Sequence, residues 1–196
     1  MSGQPGRGKV YPDAMARLPF IRPHDIPSTH PDIAARKADA FAVLAHSLDG
    51  TRAMLSLGRY MRDGSRLDPR LRELAILQVG CLVGARYEFY HHVKIGFDFG
   101  VTEADVDAVI AETRGEHTAL GQLERAVLRM ARQLTGEIRL DWDTFAFLEQ
   151  SLGREQLVDL ALIIGHYNSV VRLIACFEVD LEPGYEDLVR RFPLPA

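Results

Sequence analysis

The densest run of side chains able to move protons is Tyr87-Glu88-Phe89-Tyr90-His91-His92. On a helix, residues four apart share a face, so Glu88 stands beside His92 and Tyr87 beside His91. A carboxylate next to an imidazole raises the imidazole pKa and orients the ring, which builds a proton-transfer pair that works near neutral pH. Glu73, on the preceding helix, is a second carboxylate that the fold could bring to that pair. The plainer interpretation is a solvated helix pair, Glu88–His92, contributing a few tenths of a kcal/mol.

Other chemistries are less well served. Glu88, His91, His92 and His166 carry ligand atoms suited to zinc or iron, but His91 and His92 are adjacent and diverge by about 100° on a helix. No HExxH or paired CxxC occurs, so no metal is expected. Cys81 and Cys176 fall within apolar helical runs and lack a CxxC partner, which reads as buried, inert thiols. No glycine-rich dinucleotide turn, P-loop or Gly-x-Ser-x-Gly elbow is present.

The elements that must position these residues are helical. Six of the ten prolines (Pro5, Pro12, Pro19, Pro23, Pro27 and Pro31) lie in the first 31 residues, predicting an extended arm. Tyr11, Leu18, Phe20 and Ile21 suggest that it lies on a surface, with residues 1–10 the part most prone to fray. From Pro31 onward the spacing predicts helices: one from Pro31 to about Leu48, then about 51–62, 70–83, 87–99, 103–112, 120–134, 142–152 and 155–176. That is an all-α single domain of about eight helices. Helices 70–83 and 155–176 are apolar all round, as in the middle of a bundle or at a subunit contact. Their few polar residues are therefore informative: Arg72, Glu73 and Gln78 on one, His166, Asn168 and Arg172 on the other.

Composition narrows the partners. The chain has 196 residues, 47% of them hydrophobic, and a net charge of −4, which gives no electrostatic reason to bind nucleic acid or an anionic membrane. Two cysteines cannot form a disulfide framework, and no apolar stretch is both long and uninterrupted enough to read as a signal or a membrane span. A cytoplasmic location is expected.

The run Leu71-Arg72-Glu73-Leu74-Ala75-Ile76-Leu77-Gln78-Val79-Gly80, followed by Gly84-Ala85-Arg86-Tyr87-Glu88-Phe89 and His92, resembles the carboxymuconolactone decarboxylase family. Its superfamily also contains the alkylhydroperoxidase AhpD-like proteins. Leu157-Val158-Asp159-Leu160, Gly165-His166-Tyr167-Asn168 and Glu178-Val179-Asp180-Leu181-Glu182-Pro183-Gly184 are similar to the larger members. The redox branch carries a Glu and, twelve residues later, Cys-x-x-Cys-x-x-x-His. Here Glu73 and His92 match the Glu and the His, while Ala85 and Glu88 stand at the two cysteines. A peroxide would find no nucleophile there and no disulfide could form, so the sequence looks closer to the cysteine-free branch.

The resemblance implies an AhpD-like bundle: an arm over residues 1–30, a helical domain over 31–184 and a C-terminal tail over 185–196. It also implies a homo-oligomer (trimer, hexamer or dimer), no cofactor, and a cofactor-independent acid/base enzyme acting on a small carboxylate or lactone. Decarboxylation, isomerisation and dehydration are all within reach of such a site. His92 would be the proton-transfer residue, Glu88 its helix-face partner, and Glu73 an orienting group or alternate base. Tyr87, His91, His166, Tyr167 and Asn168 would line the substrate pocket. The cations near the motif are Arg72, Arg86, Lys94 and Arg172, outnumbered by aromatics, which suggests a weakly charged, apolar substrate. The alternatives are an AhpD-like peroxidase, disfavoured without CxxC, and a ligand-binding protein without catalysis. In the latter, Arg72 or Arg86 would neutralise Glu73 and Glu88 inside a filled site.

Overall fold

Residues with no polar face belong inside, and the computed structural model, which describes residues 16–195, places helix α4 (Pro69–Leu82) there, with every residue from Leu71 to Cys81 buried. Pro69 opens α4, and the Asp68 carboxylate accepts the Arg70 amide at 2.7 Å, satisfying a donor left free by the helix start. Around α4 pack α5 (Arg86–Asp98), α6 (Glu103–Thr113), α7 (Gln122–Gly136) and α8 (Trp142–Phe177). Gly84, at φ +65°, turns the chain from α4 into α5. Gly80 lets those two helices close up, since a Cβ there would stand 3.3 Å from the Phe89 backbone.

The long helix α8 is apolar enough by length and composition to cross a membrane. It is nevertheless interrupted at Gly153 (φ 75°, ψ 168°), where the sequence predicts one helix to end and another to begin. Beyond that break Leu157, Leu160, Ile163, Ile164 and Val171 join the main core beside α4. Nine α-helices and no strand occur among the described residues, as the helical periodicity predicts.

The N-terminal layer departs further from expectation. The single helix predicted from Pro31 to about Leu48 is broken into α1 (Pro31–Ala34) and α2 (Asp39–Leu44). Helix α3 (Leu48–Arg59) follows and runs into a π-helical turn, Tyr60–Gly64. Buried Asp159 of α8 holds that turn, accepting the Tyr60 hydroxyl at 2.9 Å and the Ser65 hydroxyl at 2.6 Å. The expected arm does lie on a surface where it is described: Arg17 donates its amide to the Phe177 carbonyl, and Ile21 to that of Ala42. A short 3-10 turn, Pro23–Asp25, interrupts its extended course. Tyr11 and residues 1–10 lie outside the described residues.

The C-terminal boundary also moves. Residues 185–196, expected as a tail, contain helix α9 (Glu186–Arg191), and Phe192 beyond it is 1% exposed. The Tyr90 hydroxyl donates to the Phe192 carbonyl at 3.1 Å, so the domain continues past residue 184. Leu188 and Val189 pack on the core with Phe192, an apolar face masked in the sequence by the charges around it. The buried apolar residues form three clusters: the main one around α4, one joining α2 to the end of α8, and one between α1 and α3. A cavity opens where these clusters approach each other without closing.

Candidate active site

Four charged groups from α4 and α5 meet beside this cavity, because α5 lies against α4 and carries Glu88 and His92 on the face that lines it. His92 Nδ1 donates to Glu73 Oε2 at 2.7 Å, and His92 Nε2 lies 3.0 Å from Glu88 Oε1. Behind them Arg72 Nε donates to Glu73 Oε1 at 3.0 Å. Arg72, Glu73, His92 and Glu88 are all buried and, in that order, form an alternating row of positive, negative, positive and negative charge. An isolated buried charge costs several kcal/mol, so an alternating row is the arrangement in which four can persist.

The row sets the protonation state. Burial works against a charged imidazole, but Glu73 and Glu88 outweigh it and push His92 up to about 9. Burial likewise favours a neutral Glu73, yet His92 and Arg72 hold its carboxyl below the ordinary range. At neutral pH His92 is therefore an imidazolium with a carboxylate at each nitrogen. In that form the ring carries a proton on each nitrogen, where the sequence alone left donor and acceptor open.

The cavity, about 340 Å³, is within the range of small-molecule sites. Glu88 and His92 line it, whereas Glu73 and Arg72 stand behind them. His166 and Tyr167 reach it from α8, Tyr167 packing edge-on against His92 with ring centres 4.9 Å apart. Burial, partly opposed by Glu88, pushes the His166 pKa down. Burial, reinforced by Glu88 and Glu73, pushes the Tyr167 phenol up. Both are thus uncharged hydrogen-bonding groups at neutral pH.

Tyr87 and His91 form part of the wall, but their polar atoms are committed elsewhere. The Tyr87 hydroxyl donates to Glu182 Oε1 at 2.7 Å and accepts the Ala40 amide at 3.1 Å. His91 Nε2 donates to Glu182 Oε2 at 2.6 Å, and its Nδ1 accepts the Tyr185 hydroxyl at 3.1 Å. Glu182 also accepts the Asp39 amide at 2.8 Å. Burial opposes its charge, but these donors hold its carboxyl down at about 2. Glu182 is therefore a latch joining α2, α5 and the C-terminal segment. Its position within the family-like run was visible in the sequence; its partners, far apart along the chain, were not.

Asn168 does not belong to the cavity lining. Its amide donates to Thr135 Oγ1 at 2.8 Å and to the Ile164 carbonyl at 3.0 Å, while its oxygen accepts Arg172 at 2.7 Å. It secures α8 to α7. The thiols are equally remote: neither Cys81 nor Cys176 lines the cavity. Cys81 is buried, and burial pushes its thiol up. Cys176 is exposed, contrary to expectation, because it falls on the outer face of α8. Among the described residues no three His, Cys, Asp or Glu side chains converge as a metal site requires. Arg72, Arg86, Lys94 and Arg172 are absent from the lining, and the cations that are present, Arg36, Arg59 and Arg62, come from the N-terminal layer. The spacing of Leu55, Arg59 and Arg62 on one helix face was the signal that could have found two of them.

Comparison with known proteins shows what the chain is similar to. Residues 49–133 match the carboxymuconolactone decarboxylase family, a stretch that includes α4, α5 and α6. The fold is similar to the alkylhydroperoxidase AhpD core of an uncharacterized peroxidase-related protein from Ralstonia eutropha JMP134. That similarity has a TM-score of 0.75 at 18% identity and covers 88% of this chain and 95% of the other. A protein of unknown function from Agrobacterium tumefaciens, a candidate AhpD antioxidant defence protein, is similar with a TM-score of 0.60 at 21% identity, covering 70% and 93%. No curated protein sequence matches the chain.

Proposed function

We propose that this chain, whose residues 49–133 match the carboxymuconolactone decarboxylase family and whose fold is AhpD-like, is a cofactor-independent acid/base enzyme, decarboxylase-like, acting on a small carboxylate or lactone. The observation that carries this reading is the imidazolium of His92, set between Glu73 and Glu88 on the wall of a cavity of small-molecule size. Decarboxylation leaves the electrons of the broken C–C bond on carbon, conjugated with a neighbouring carbonyl as an enolate. A proton must then reach that carbon, and a donor must hold the enolate oxygen. His92 supplies the proton from Nε2, directly or through Glu88, and takes another from solvent after CO2 and product leave. Tyr167 and His166, both uncharged, are the donors available to the enolate oxygen. Glu73 keeps the imidazole in place and charged, and Arg72 keeps Glu73 ionised.

A filled site would favour a ligand-binding protein without catalysis, with arginines neutralising both acids. Arg72 does pair with Glu73, but Glu88 pairs with His92 and both face open volume. The AhpD-like relatives keep a peroxidase reading in view, yet that chemistry needs a thiol on the cavity, and Ala85 and Glu88 occupy the matching positions. The test is CO2 release from a panel of small lactones and β-keto acids, with products identified by mass spectrometry. The His92→Gln variant should lose turnover while keeping its helical circular dichroism. Full activity in that variant would overturn the assignment.

A further inference from the structure

We propose that Arg59 and Arg62, assisted by Arg36, form a subsite for the carboxylate head of an amphipathic organic acid, whose apolar body fills the rest of the cavity. The arrangement follows from one helix face. Leu55, Gly58, Arg59 and Arg62 line the cavity in succession along α3 and its π-helical turn, so the wall changes from apolar to cationic along one side. A Cβ on Gly58 would lie 3.9 Å from His166 Nε2, which places the change in character beside the proton-transfer groups. Arg62 is also close enough for its charge to act on the Tyr167 phenol, the ring packed against His92.

The turn that carries Arg62 is held by two buried charges. Asp159 accepts the hydroxyls of Tyr60 and Ser65, and buried Arg72 donates Nη1 to the Arg62 carbonyl at 3.4 Å. Arg72 thus touches both the acid/base row and the backbone of the cationic wall. Arg36, Arg59 and Arg62 form no ion pair among the described residues, although Asp63 shares the lining. Glu88 and His92 offset each other, so the lining retains an excess of guanidinium charge, suited to a planar carboxylate. The same lining carries Phe41, Leu44, Val170 and Ile174, whose side chains offer no hydrogen bond and favour an apolar chain or ring. The substrate class is therefore a carboxylic acid with an apolar tail, more anionic than the cations near the motif suggested. This inference rests on the acid/base reading only for which end of the molecule reacts.

The test uses binding, so that it stands apart from turnover. Octanoate and phenylbutyrate, each with its neutral amide, are titrated calorimetrically into the wild-type protein, Arg59→Gln/Arg62→Gln, Arg36→Gln and His92→Gln. The acids should bind wild type about tenfold or more tightly than their amides. The double variant should lose that preference and Arg36→Gln should reduce it, with melting temperatures unchanged because Arg59 and Arg62 are exposed. Equal affinity for acid and amide, no binding of either pair up to about 10 mM, or a preference that survives the double variant would overturn the subsite. Loss of turnover in His92→Gln together with any of those results would leave the acid/base reading intact and remove only the subsite. A preference confined to the arginines, with His92→Gln fully active, would do the reverse.

Discussion

Replacing Glu73 with Gln tests the row of charges at its middle. The rise of His92 from 6.5 to about 9 favours its imidazolium by about 3 kcal/mol, at about 1.4 kcal/mol for each pKa unit. Glu73 is the larger of its two electrostatic supports, so Glu73→Gln should drop the His92 pKa from about 9 toward the ordinary histidine range. Proton NMR of the His92 ring followed through a pH titration measures this directly. The alkaline limb of any pH–rate profile, near 9 in the wild type, should move to lower pH with it. The same change leaves Arg72, whose side chain is 5% exposed, without its carboxylate, at a cost of about 3–5 kcal/mol in urea unfolding. Arg72→Met/Glu73→Gln removes both charges and should be more stable than Glu73→Gln alone. The pH dependence has a fixed sign. His92 is raised, so its contribution is complete below its unfolded value of 6.5 and is lost as pH rises through about 9. Glu73 is lowered, so its share is present above its unfolded value of 4.5 and is lost as pH falls through the folded one. Both shifts describe one coupled pair and count once. If His92 still titrates near 9 in Glu73→Gln, Glu88 alone sets its charge and the row has no such role.

The other expectations concern residues that the fold assigns differently from the sequence. Asn168→Ala should leave turnover unchanged and lower unfolding stability by about 1–2 kcal/mol, through lost bonds to Thr135, Ile164 and Arg172. Glu182→Ala frees the Asp39 amide, Tyr87 and His91 together, so hydrogen exchange over residues 38–45 should accelerate about tenfold or more. An unchanged exchange rate would mean that Glu182 does not hold α2. Native protein should react with a maleimide at Cys176 and not at Cys81, and Cys176→Ser should keep full turnover. Light scattering during size exclusion should give a multiple of 21.9 kDa, as the family resemblance implies.

What the sequence revealed was what is local. The unbroken apolar surface of 70–83, the Asp68-Pro69 start, the Thr102–Asp105 capping box and the break at Gly153 are each written within one or two turns of chain, and each appears in the structure. So is the shared face of Glu88 and His92, whose spacing is fixed by the helix itself. The missing parts depend on partners distant in sequence. Asp159, an acid in an apolar helix, is explained only by Tyr60 and Ser65, ninety or more residues away, whose hydroxyls donate to it. The π-helical turn carries no distinctive residue pattern, and without it Arg62 has no reason to face a cavity. Asn168 was misplaced for a related reason: a polar residue on an apolar helix can serve a pocket or a neighbouring helix, and only Thr135 on α7 decides between them.

Glu88 adds a second carboxylate to an imidazole that Glu73 already holds in its charged form. In the redox pattern of the superfamily, the imidazole matching His92 faces a cysteine four residues earlier, and an imidazole beside a thiol can accept its proton. Here Glu88 occupies that place while Glu73 holds the other nitrogen. Two carboxylates on one ring stabilise its charged form against burial, with Glu73 supplying the larger share. The second carboxylate accounts for Arg72. Without it, one imidazolium between two carboxylates would leave a net buried negative charge; with it, the four groups balance. Restoring cysteines at 85 and 88 alone would therefore not recreate a thiol site of the same poise. With Glu88 gone, Glu73 remains committed to both Arg72 and His92, and the imidazole stays protonated by the carboxylate behind it.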